Sequence, residues 1–173
     1  MSKTVATLSD HVNAFKNESE MLLRYYLAWK RLQIFEDLNS ISRTQMVDRI
    51  ISIKCIENDL IIRISKLDDK DKKVHSFQRA ILLLISTDDK INASKKLEEF
   101  VNQIKEIKQK RRHEILAHLK VGNIDTYEPY FDLLPAIKTI IELTDLIAGN
   151  KINYNYSDGS FEKYELRKEL LGN

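Results

Sequence analysis

The sequence predicts an all-α protein: an up-and-down helical bundle of four to five main helices, one domain over residues 1–173, with about 151–173 as a C-terminal tail or short accessory helix. Three observations predict it. Four glycines and two prolines in 173 residues are too few for the tight turns of a sandwich or barrel. Apolar residues recur at three- and four-residue spacing over long stretches, the period of a helix with one buried face. Hydrophobic residues make up 43% of the chain, enough to fill one core.

The first helix is expected over residues 9–38, with Ser9 or Asp10 as N-cap. Leu8, Val12, Phe15, Leu22, Tyr26 and Trp29 form its stripe, and Leu23, Leu27, Ile34 and Leu38 widen it. Tyr25, Tyr26 and Trp29 read as a core stripe rather than a base-stacking platform, because their spacing is helical. The second helix begins near Ser42 or Thr44 and reaches Lys66. Six isoleucines lie between Ile50 and Ile62, and Ile64 follows, so this segment is expected to be a central, buried helix with Cys55 as a small buried hydrophobe. The polar run DDKDKK at 68–73 is expected to be a solvated turn.

A third, shorter helix is expected over 75–85 around AILLLI, with His75 capping it or lying on the surface. STDDKINAS at 86–94 reads as a loop, with Asn92 or Ser94 capping a fourth helix that ends near Val121-Gly122-Asn123. The fifth helix spans 129–148, with Pro129 in its first turn and a restart at Pro135. Tyr130, Leu133, Leu134, Ile137, Ile140, Ile141 and Ile147 form its apolar face. A last helix over 160–171 is expected to bury Phe161, Tyr164, Leu170 and Leu171.

The charge balance, 28 basic against 26 acidic residues, gives a net +2, so the protein is not a polycation. Nucleic-acid contact would have to come from local clustering. The single Cys55 excludes an internal disulfide and fits a reducing compartment. No apolar run approaches the roughly 18 residues of a membrane span, and the N-terminus has no signal-peptide core, so a cytoplasmic protein without membrane contact is expected.

The local cluster lies in the fourth helix, at Lys105 to Lys120, KEIKQKRRHEILAHLK. Leu97, Phe100, Val101, Ile104 and Ile107 define one face, and Ile115 and Leu119 continue it. Arg111 and His118 fall inside that sector and Arg112 at its edge. Burying such groups is costly unless they face a cleft or a partner, so a homodimer is expected. His113-Glu114 with His118 looks superficially like a zinc motif. Its histidines are five apart, roughly 140° around a helix, and do not share a face, so no metal is expected. Neither Cys55 nor any serine has the context of an activated nucleophile.

Phosphate chemistry fits better. Lys105, Lys108, Lys110, Arg111 and Arg112 place five cations within eight residues, and His118 follows. Arginine presents a planar fork that matches phosphate, and histidine exchanges a proton near neutral pH. Together they supply what RNA strand cleavage needs with no metal and no cofactor. Lys120 extends the RNA-binding set of Lys105, Lys108 and Lys110. Glu114, three after Arg111 and four before His118, can reach either as an orienting carboxylate or a salt-bridge partner. Arg112 and His118 are about 120° apart on an ideal helix, so a bend or a second copy is needed to aim both at one phosphate. Arg111 lies nearly in line with His118.

Arg112-His113-Glu114-Ile115-Leu116-Ala117-His118 resembles the signature of the HEPN superfamily: an arginine, a polar residue, a few intervening residues, then a histidine. The ending Leu-Ala-His, with the earlier KLDD…SFQRAILLL, resembles its abortive-infection branch of bacterial defence proteins, and the resemblance covers roughly residues 21–148. It implies a metal-independent endoribonuclease, a toxin or phage-defence effector, acting as a homodimer whose two motifs face each other across a cleft. Arg112 would stabilise the phosphate, His118 would transfer protons and His113 would support them. Cleavage would leave a 2′,3′-cyclic phosphate. A toxin also needs restraint by an antitoxin or regulatory protein. One branch of the family carries a tyrosine two residues after the histidine that a nucleotidyltransferase antitoxin modifies. Lys120 stands there instead, which argues against that mode of control. Other members are non-catalytic modules that bind RNA, a nucleotide or a partner protein, and this is the alternative reading.

Overall fold

In a computed structural model, which describes residues 6–34, 40–71, 73–109, 131–156 and 164–171, the chain is an all-α helical bundle. Helix α1, Leu8–Leu32, starts on a capping box: Thr7 accepts from the Asp10 amide, and the Asp10 carboxylate accepts from the Thr7 amide at 2.8 Å. Asp10 therefore sits inside the first turn rather than at the cap. The helix stops short of the expected residue 38. Arg49 donates to the Leu32 carbonyl at 2.7 Å and to the Ile34 carbonyl, satisfying the helix end, and Ile34 is 52% exposed instead of widening the core stripe. Leu38 lies outside the described residues.

Helix α2, Arg43–Lys66, begins on a second capping box, Ser42 with Gln45. Arg49 near its start meets the end of α1, and Arg63 near its end pairs with Glu18 at 3.0 Å, so the two helices run antiparallel. Ile53, Leu60, Ile61 and Ile64 face the core. The expectation of a central, buried helix is corrected, because α2 is covered on one side only. Val47, Ile50, Ile51 and Ile62 are exposed, and so is Cys55. The isoleucine run serves two faces, of which the bundle covers one.

Helix α3 is Phe77–Leu83, shorter than expected, and His75 precedes it. Ala80 and Ile81 are buried, whereas Leu82 and Ile85 are 76% and 98% exposed. Helix α4, Thr87–Ile107, begins earlier than expected. Ser86 accepts from the Asp89 amide at 3.2 Å, and Asp88 and Asp89 in the first turn suit the positive end of the helix. The segment read as a loop is thus the first two turns of α4, polar because only Ala93 of it faces the core. Helix α5, Leu134–Ala148, starts with Pro135 in its first turn and stops at Gly149, whose φ of 71° lies in the left-handed region that glycine enters without a Cβ clash. Pro129 and Tyr130 lie outside the described residues.

The C-terminal segment corrects the expected helix over 160–171. Strand β1, Asn155–Tyr156, pairs antiparallel with β2, Tyr164–Glu165, and helix α6 occupies only Leu166–Leu171. Tyr164 is a strand residue, 37% exposed, and Phe161 lies outside the described residues. Asp145 of α5 anchors this unit by accepting from the Ile152 amide at 2.9 Å and from Arg167 at 2.6 Å. Burial pushes the Tyr154 phenol up to about 12.

The core joins α1, α2, α3, α4 and α5. Phe77 packs on Phe15 with ring centroids 4.5 Å apart and meets Phe100 edge-on at 5.8 Å. Leu22, Leu60, Ile104, Ile137 and Ile140 are fully buried around them. Ser19 and Thr144 make a polar contact across this core at 3.3 Å. Among the described residues, no helix is long and apolar enough to cross a membrane.

Candidate functional site at the end of the fourth helix

Helix α4 positions the start of the basic stretch. Its inner face is largely the expected one, with Phe100, Ile104 and Ile107 buried and Leu97 packed at the margin, while Val101 is half-buried but not packed on the core. Lys105, on the opposite side, is exposed. Lys108 is not. Its ammonium pairs with Asp68 at 2.8 Å, and the two side chains are only 21% and 9% exposed. The second Asp68 oxygen accepts from Gln78 at 3.0 Å, and the Phe77 amide donates to the Leu67 carbonyl at 3.0 Å. The end of α2, the start of α3 and the end of α4 are therefore tied into one corner. Asp68 corrects the reading of 68–73 as a purely solvated turn, since its carboxylate is held by one charged and one neutral donor.

Lys108, expected to meet RNA, thus has a structural partner inside the protein, and Lys105 is the exposed cation of the two. Lys110, Arg111, Arg112, His113, Glu114, His118 and Lys120 lie outside the described residues. Among the described residues, no group of three or more His, Cys, Asp or Glu side chains is placed to hold a metal ion.

Around the same α3 start lies a feature the sequence reading missed. His11, on the first turn of α1, is 1% exposed, and its Nδ1 lies 3.1 Å from Nδ1 of the exposed His75. The rings meet nearly at right angles, centroids 4.7 Å apart. One nitrogen must donate and the other accept, so the pair cannot carry two protons on these atoms. Burial holds His11 below the ordinary histidine range. The charges of His75 and Arg79 act the same way, and Asp10 opposes them. Thr7, through its amide and hydroxyl, holds the Asp10 carboxyl down. His11 is thereby held as a neutral imidazole near neutral pH, sealed inside the bundle. His11 was legible in principle, since it lies four residues before Phe15 on the buried stripe of α1.

No protein-family model, curated protein or solved structure matches the chain.

Proposed function

We propose that the chain is a metal-independent endoribonuclease, a toxin or phage-defence effector that acts as a homodimer. The observation that carries the reading is the run from Lys105 to His118, in which five cations precede a histidine placed on the continuation of a buried helical face. The helical bundle supports it, because α4 carries the first cations of that run, Lys105 and Lys108, at a corner fixed by Lys108, Asp68 and Gln78.

In the proposed reaction the ribose 2′-oxygen attacks the adjacent phosphorus and the bond to the 5′-oxygen breaks. The products are a 2′,3′-cyclic phosphate and a 5′-hydroxyl. One His118 takes the 2′-hydroxyl proton, and His118 of the second copy protonates the departing oxygen. Arg112 neutralises the charge that accumulates on the phosphate oxygens, with Arg111, His113 and Glu114 supporting. Lys105, Lys110 and Lys120 hold the flanking backbone.

A chimeric oligonucleotide tests the chemistry. An RNA strand that is cut by the protein is resynthesised with one 2′-deoxy residue at the cut position. The proposal expects that bond to survive and the all-RNA strand to yield a cyclic phosphate end. Cutting at the deoxy position overturns it, because no 2′-oxygen is then present to attack.

A further inference from the structure

The farther end of α1 carries a second candidate site. A groove of about 560 Å³ opens between the last turns of α1 and the C-terminal β1–β2–α6 unit. This is the size range of small-molecule pockets. His11 and Lys30 stand nineteen residues apart on one helix, roughly 28 Å at 1.5 Å per residue, so the groove is remote from the histidine pair.

Its lining combines three chemistries. Tyr156 and Tyr164 are direct cross-strand partners and so share one face of the ladder, and both line the groove. The guanidinium of Arg24 sits 4.1 Å from the centre of the Tyr156 ring, bracing it. Lys30 and Arg31 bring positive charge to the α1 side, and Glu169 brings a carboxylate from α6. The Nε2 of Gln33 is buried at the lining without a hydrogen-bond partner, a donor with no acceptor supplied by the protein.

We propose that this groove binds a nucleoside phosphate. Aromatic faces stack on a base, two cations meet a phosphate, a carboxylate accepts from ribose hydroxyls, and the Gln33 amide donates to a base-edge acceptor. A purely apolar ligand would leave Lys30, Glu169 and the Gln33 donor without partners, and a bare phosphate would make no use of the tyrosines. The assignment does not depend on the proposed RNA cleavage.

The test is calorimetric titration of the whole chain with AMP, GMP, UMP, ATP and a short 5′-phosphorylated oligoribonucleotide, in wild type, Tyr164→Ala and Lys30→Glu. Circular dichroism melts check that each variant is folded. Saturable binding that weakens about tenfold in each variant is expected, from the loss of one stacking face in Tyr164→Ala and of one phosphate contact in Lys30→Glu. Mononucleotide binding identifies a free nucleotide as the ligand. Binding of the oligonucleotide alone, weakened in the same variants, assigns the groove to an RNA strand end. No saturable binding of any probe overturns the proposal, and so does binding unchanged in the folded Lys30→Glu variant. That variant alters an exposed side chain, so it keeps the test decisive if Tyr164→Ala unfolds.

Discussion

His11 and His75 share a single Nδ1-to-Nδ1 contact of 3.1 Å, with one ring sealed in the bundle and the other at its surface. The folded state holds His11 below its ordinary value of 6.5, first by burial and then by the nearby His75 and Arg79, with Asp10 opposing. The unfolded chain therefore binds more protons than the folded one below about pH 6.5, and stability rises with pH there. Full stability is expected above 6.5, with loss as the pH falls from that value toward the lowered folded one. Urea midpoints at about pH 8 and about pH 5.5 measure this. His11→Gln keeps an amide in the site and removes the titration, so its midpoint should vary less between the two conditions. An equal dependence in wild type and variant would contradict the assignment to His11.

Asp68 is predicted to matter beyond its own size. Asp68→Ala leaves the partly buried Lys108 ammonium and the Gln78 amide without their acceptor, and should cost about 2 kcal/mol. Asp68→Asn retains one acceptor and should cost less. Urea unfolding of the two variants in parallel checks the order.

The aromatic cluster and the exposed end of AILLLI should respond very differently to truncation. Phe100→Ala removes a ring with no exposed surface that packs on Phe77, and should cost about 3–5 kcal/mol. Ile85→Ala touches a side chain 98% exposed and should fall within about 0.5 kcal/mol of wild type. Thermal melts separate the two.

Cys55 is predicted to react with a thiol reagent in the folded protein as fast as in urea, because it lies on the exposed side of α2. Protection until unfolding would mean that another surface covers that side in solution.

Much of the fold was legible in the residues. Phe15, Leu22, Tyr26 and Trp29 follow the helical period and are buried as that period requires, and Gly149 ends α5 where the sequence places a stop. The failures have physical causes. Isoleucine content does not say how many sides of a helix are covered, so α2 read as central although Val47, Ile50 and Ile51 face outward. Ser86-Thr87-Asp88-Asp89 has loop composition, yet a serine followed by two aspartates is also a helix start, and the capping bond to Asp89 decides for the helix. At the candidate site, the apolar face through Ile107 was readable, but the Lys108–Asp68 pair joins residues far apart in sequence that no spacing rule links. The His11–His75 contact is of the same kind, created by packing α1 against the start of α3.

The most direct test of the proposed nuclease is digestion of total cellular RNA in excess chelator by wild type, Arg112→Ala and His118→Ala, with each variant shown to be folded. The proposal predicts cutting by wild type and loss of at least about a hundredfold in both variants, the scale of one proton-transfer group or one charge-stabilising donor. Wild type that leaves the RNA intact, or His118→Ala that cuts as well as wild type, would contradict it.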